Sequence, residues 1–272
     1  MSAQLGYNAV MELLTYLMSG AVAGLMAGLL GIGGGLIIVP ALAIVFAQQG
    51  FGADTVMHYA VGTSLATIIP TSISSLLAHQ RRGSVHWTVV RRMVPGILMG
   101  ALASAWLAKQ LSSTTMAVLF GIFMLLVAAH LLLGAIPAPH RPLPGAGWLG
   151  VTGSVIGLVS GLLGIGGGTL TVPFLLWNRV DIRLAVGTAA TIGLPIALAG
   201  TLGFILSGFH GAQQPGYNSG FIYWPAVAAV VLASVPAALL GARLAHYLPR
   251  VILQRLFALL LVIVGVKMVL GG

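Results

Sequence analysis

The octapeptide GLLGIGGG occurs at residues 28–35 and again at 161–168, and each copy runs on to a proline, Pro40 and Pro173. Glycine in a helix interior costs about 1 kcal/mol relative to alanine, so a GGG triplet inside an apolar stretch reads as a break in a helix. The chemistry of such a break lies in its backbone. The first amides of the helix that restarts after it lack intrahelical partners and point, with the positive end of the helix dipole, at whatever fills the gap. That is an anion site built without charged side chains. Gly33, Gly34, Gly35, Gly166, Gly167 and Gly168 admit an anionic group to backbone that a Cβ would shield, and Thr169 is placed to cap the second short helix. Thr63, Ser64 and Thr67 in AVGTSLAT, with Thr188 and Thr191 in AVGTAAT, put hydroxyls at matching depth in the two halves. They are candidates to complete an oxyanion shell, or to hydrogen-bond their own or a neighbouring helix.

Other chemistries find no support. GxGxxG binds dinucleotides only between a strand and an amphipathic helix, with an acid some way on, and no lysine follows the glycines as in a phosphate-binding loop. There are no cysteines, no histidine pair has metal-site spacing, and Glu12, Asp54 and Asp181 are the only acids. Catalytic carboxylate pairs, metals and cofactors are therefore not expected. Among the histidines His58 and His79 flank one apolar segment and His130 lies within another, where a buried imidazole would carry a proton. His79 and Arg82, beside Gly83, are candidates to attract an anion to an inner mouth or to couple its movement to an ion. Arg91 and Arg92 are placed to snorkel to an interface.

The surroundings of these residues are apolar. Hydrophobic residues make up 58% of the 272, charged residues 6%, and mean hydropathy is +1.07, which no water-exposed surface would tolerate. The chain reads as an all-α polytopic membrane protein. Its first apolar stretch lacks the basic flank of a cleavable signal and is taken as mature chain. A net charge of +9 then serves orientation and lipid contact, not nucleic-acid binding.

The duplication extends past the glycines: AVGT recurs at residues 60–63 and 185–188, Pro70 matches Pro195, and GSVHW at 83–87 resembles GFIYW at 220–224. Two homologous halves follow, residues 1–137 and 148–272, joined by a linker at 138–147 in the proline-rich stretch IPAPHRPLPGAG. Each half holds five apolar segments, the second of them short: residues 169–178 give about 15 Å of helix, roughly half a bilayer core. The segments around each glycine break form either one crossing or a hairpin that returns to its own face. With hairpins, ten of the twelve basic residues fall on one face and only Lys109 and Lys267 on the other; with single crossings they divide evenly. The positive-inside rule selects the hairpin. An odd number of segments then inserts the second half upside down, so the fold expected is two inverted repeats, each opened by a glycine-broken hairpin. Pro70 and Pro195 are expected to kink their helices, and Gly24, Gly28, Gly157 and Gly161 have the small-xxx-small spacing of packed helices.

The paired GLLGIGGG motifs reaching proline, the AVGT helices and the His79-Gln-Arg-Arg-Gly83 turn resemble the TauE/SafE sulfite exporter family over nearly the whole chain. The resemblance implies movement of sulfite, sulfonates or similar organosulfur anions across the bacterial inner membrane, with export as the expected direction. The residues themselves support a secondary transporter with a small anionic substrate, working by alternating access within the lipid bilayer. A coupling proton or sodium ion is left open, and so is a homodimer. The alternatives are a passive anion channel using the same helix ends and, with no nucleophile, base and metal set, an intramembrane enzyme acting on a lipid phosphate.

Overall fold

The computed structural model describes residues 2–30, 34–133, 142–209, 217–244 and 250–271. Gly33 and residues 138–141 of the linker lie outside these. Among the described residues the chain forms α1 (Ser2–Leu30), α2 (Gly35–Gln48), α3 (Val56–Arg81), α4 (Trp87–Gln110) and α5 (Ser113–Leu133). The second half repeats the series as α6 (Ala146–Leu163), α7 (Gly168–Trp177), α8 (Ile182–Gly208), α9 (Trp224–Leu244) and α10 (Arg250–Leu270). A two-residue hairpin of β1 (Asn218–Ser219) and β2 (Ile222–Tyr223) precedes α9. Among the described residues six helices are long and apolar enough to cross a membrane, and large apolar side chains such as Leu126, Leu133 and Leu232 face outward from them. The protein is an all-α polytopic membrane protein.

Each glycine motif ends one helix and starts another. α6 stops at Gly164, whose φ of 65° is the left-handed conformation that glycine adopts without strain, and Ile165 N–H then donates to Ser160 O. α1 and α2 turn back on each other, since the Tyr16 hydroxyl at the middle of α1, fourteen residues before its end, donates to Gln49 Oε1 at the end of α2, 2.6 Å away. The break is a hairpin.

The packing follows the duplication: α1 lies along α9 as α6 lies along α4, while α3 pairs with its own counterpart α8, and α5 with α10. Glycines set these distances. A Cβ on Gly24 would meet Ser234 backbone, one on Gly157 would meet Ile97 backbone, and one on Gly161 would meet the Ser104 side chain. The direction of the like pairs decides the symmetry. Gly200 meets Leu65 and Gly193 meets Ser72, and Gly121 meets Val269 while Gly265 meets Leu125, so both pairs run antiparallel. Equivalent helices related in this way need a two-fold axis across their length, which makes the repeats inverted. One crossing per glycine hairpin would have made them parallel.

The α3–α8 register sets Pro70 against Pro195, and both helices continue through their prolines. Among the described residues the charges separate as the hairpin topology requires. Arg81, Arg82, Arg91, Arg92 and Arg183 sit at one end of the bundle, and Lys109 and Lys267 at the other.

Candidate functional site

The two breaks meet at the pseudo-two-fold. A Cβ built on Gly35 would stand 2.7 Å from Gly164 O, and one on Gly167 would stand 3.0 Å from Ala189 O on α8. Beside this junction lies a cavity of about 300 Å³, bordered by Gly34, by Gly166, Gly167 and Gly168, and by one face of α3. It extends to His79, within a turn of Arg82, toward the arginine-bearing end.

The α7 N-terminus supplies the donors. Gly167 is its N-cap, no side chain caps it, and its first intrahelical bond, from Thr171 N to Gly167 O, leaves the preceding amides unpaired within the helix. Thr169 does not cap: it lies one residue inside the first helical position, and its buried hydroxyl has no partner. A capping oxygen must come from the N-cap residue, which here is a glycine. Gly34 opens α2 in the same uncapped way. Opposite them Ser72, 7% exposed, borders the cavity, and a Cβ built on Gly193 would lie 3.0 Å from its Oγ and 3.6 Å from Gly167 N. A buried hydroxyl thus faces the amide end of α7.

The hydroxyls singled out from the sequence are engaged elsewhere. Thr63 Oγ1 accepts from Tyr223 N at 3.1 Å, and Thr188 Oγ1 accepts from His86 N at 2.9 Å. These are one interaction made twice, each threonine holding the turn of the opposite half onto its helix. Ser64 donates to Gly164 O at 2.8 Å, Thr67 to Ser64 O and Thr191 to Gly187 O. None of the five borders the cavity, and Gly35 packs against Gly164 beside it. His79 does border it, with Nδ1 held 3.1 Å from Ser84 Oγ, whereas Arg82 is exposed on the α3–α4 turn.

Thr71, Ser72, Ser75 and His79 form the polar stripe of α3 that sequence reasoning passed over, apart from its last member. Their i, i+1, i+4, i+8 spacing was the available signal. The equivalent positions of α8 are Ile196, Ala197, Gly200 and Phe204. There the space is filled: Phe204 is fully buried against Gly62, and Leu65 reaches to within 2.9 Å of where a Gly200 Cβ would stand. Beyond it, toward the lysine-bearing end, six rings pack together. Phe46 stacks on Phe51 at 4.5 Å, Phe51 meets Tyr59 at 4.9 Å, and Tyr16, Phe221 and Tyr223 complete the plug.

A multi-pass membrane protein with inverted halves and a cavity between re-entrant helix ends is built like a secondary transporter. The chain belongs to the sulfite exporter TauE/SafE family, whose sequence model matches residues 16–268. It is 34% identical to a probable membrane transporter protein of Haemophilus influenzae, over 95% of this chain and 98% of that one. It is 28% identical to the probable membrane transporter protein YunE of Bacillus subtilis, over 93% and 96% of the two chains. With the probable membrane transporter protein MJ0441 of Methanocaldococcus jannaschii it shares 24% identity, over 92% and 93%. No solved structure matches. The protein is a membrane transporter.

Proposed function

We propose that this transporter moves a small organosulfur anion, sulfite or a sulfonate, across the bacterial inner membrane by alternating access, with export as its direction. The supporting observation is the asymmetry between the two sides of the pseudo-two-fold. One cavity reaches from the glycine turns to His79, while its symmetry-related counterpart is filled by Leu65 and Phe204 beneath the aromatic plug. Exchanging the conformations of residues 1–137 and 148–272 would close the first and open the second. The positive-inside rule makes the arginine-bearing end cytoplasmic, so this conformation faces inward.

In this reading the anion sits against the amides of Gly167 and Gly168, with Ser72 donating from α3 and Gly34 opposite. Gly33, the neighbour of Gly34, belongs to the same motif. Thr63, Ser64, Thr188 and Thr191 act on the anion indirectly, by holding the helices and turns around it. Arg82 draws anions toward the mouth.

The test is counterflow in proteoliposomes. Saturable exchange of labelled sulfite, taurine or isethionate supports the carrier. Large unitary anion currents without counterflow would replace it with a channel.

A further inference from the structure

Ser84 Oγ lies 3.1 Å from His79 Nδ1 and also 3.1 Å from the His79 carbonyl oxygen. The hydroxyl has a single hydrogen, and a carbonyl oxygen can only accept. Both bonds therefore form only when Ser84 donates to the carbonyl and Nδ1–H donates to Ser84. A neutral imidazole carries one ring proton, so this network places it on Nδ1 and leaves Nε2 as a bare lone pair. Nε2 has no hydrogen-bond partner among the described residues, and the ring borders the cavity.

A lone pair repels an anion, whereas an imidazolium N–H gives it a charge-assisted hydrogen bond. We propose that anion binding in this cavity takes up one proton, onto Nε2 of His79, so that the anion and a proton occupy the inward-facing site together. The proposal rests on reading the cavity as an anion site. The balance is simple: imidazole gains a proton from solvent, no covalent bond to the anion forms, and the proton returns when the anion leaves.

Among the described residues that border the cavity His79 is the one titratable side chain. The faces contributed by α1, α2, α7, α8 and α9 are glycine, alanine, valine, isoleucine and serine. Arg82, on the turn after α3, is the charged group that acts on the ring. Among the described residues no carboxylate borders the cavity to take the proton instead. Ser84 also ties the imidazole to the other half of the protein, because a Cβ on Gly187 would collide with the Ser84 carbonyl and the adjoining His86 amide donates to Thr188. A proton at His79 is thus placed where the two repeats touch.

The test is isothermal titration calorimetry of the full chain in lipid nanodiscs with isethionate, whose sulfonate stays ionised from about pH 5.5 to 8.5, the range in which an imidazole titrates. Repeating it in buffers of different ionisation enthalpy counts the protons taken up. Wild type is expected to take up about one proton per isethionate, with affinity falling about tenfold per pH unit on the alkaline side of the titration. His79→Gln places a permanent N–H where Nε2 stands, so it should bind with no proton uptake and a flat pH profile. His79→Asn keeps a donor for Ser84 but none for the cavity, and should bind weakly at every pH. Wild-type binding without proton uptake, or a pH slope that survives in His79→Gln, overturns the proposal and leaves the anion site standing. Failure of isethionate to bind wild type at any pH overturns the anion site, and the proton with it.

Discussion

Gly35 of the first repeat lies against Gly164 of the second, so close that a Cβ on Gly35 would come within 2.7 Å of the Gly164 carbonyl oxygen and 2.9 Å of Ile165 Cα. Both obstacles are backbone, which cannot swing aside as a side chain end can. The two helix breaks are thus held together by the absence of a single methyl group. Gly35→Ala should lower stability by about 1–3 kcal/mol, the usual cost of overpacking, and transport should fall with it. Thermal unfolding in nanodiscs reads the first effect and proteoliposome uptake the second.

Gly166 offers the contrasting case. A Cβ there meets nothing nearer than Ile68 Cγ2 at 4.0 Å, and the residue borders the cavity. Gly166→Ala should leave the unfolding temperature within a degree or two of wild type while weakening anion affinity several-fold, because the new methyl stands beside the amides. Unchanged affinity in a folded Gly166→Ala protein would remove the anion from this end of the cavity. Gly24→Ala is no mild control for such experiments, since its Cβ would enter the Ser234 backbone.

The inverted arrangement has its own test, and the natural absence of cysteine supplies the background for it. Gln48, at the end of α2, and Arg183, in the first turn of α8, are both exposed and belong to opposite ends of the bundle. In intact cells a membrane-impermeant maleimide should label Gln48→Cys, and should label Arg183→Cys only after permeabilisation. Labelling of both from one side would refute opposite insertion of the halves.

Thr63 and Thr188 separate a structural from a ligand role. Each hydroxyl accepts a backbone N–H from the opposite half, Tyr223 and His86 respectively. Valine at either position strands that donor at a cost of about 1–3 kcal/mol, so Thr63→Val and Thr188→Val should unfold at similarly lowered temperatures, and serine at either position should restore stability. Lost transport at unchanged stability would make these hydroxyls ligand contacts instead.

The helix breaks, the hairpins and the inversion were all legible in the chain, because glycine cost, helix length and arginine placement act locally or by simple counting. α1 ends at Leu30 and α7 begins at Gly168, where the glycines demand it. The site was legible only as far as it is backbone. Thr63 and Thr188 have donors 160 and 102 residues away, a relationship no local pattern encodes. Ser72 belongs to no repeated motif, and only the α3–α8 register brings it beside Gly193 and Gly167. His79 stood out by its type, but the bond that fixes its ring comes from a turn serine.

Tyr16 and Gln49 form the side-chain bond that ties α1 to the end of α2 under the aromatic plug. In the alternating-access reading proposed above, opening toward the lysine-bearing end parts Tyr16, Phe46, Phe51 and Tyr223 and breaks this bond as well. Tyr16→Phe keeps the ring and its contacts while removing the hydroxyl, so it weakens the closed plug without creating a cavity. A net hydrogen bond is worth about 1 kcal/mol, which corresponds to roughly a fivefold shift in an equilibrium between two conformations. Maleimide labelling of a cysteine at buried Val45, one turn before Gln49, should accelerate by about that factor in the Tyr16→Phe background. An unchanged rate, in a protein that unfolds at the wild-type temperature, would count against alternating access through this plug.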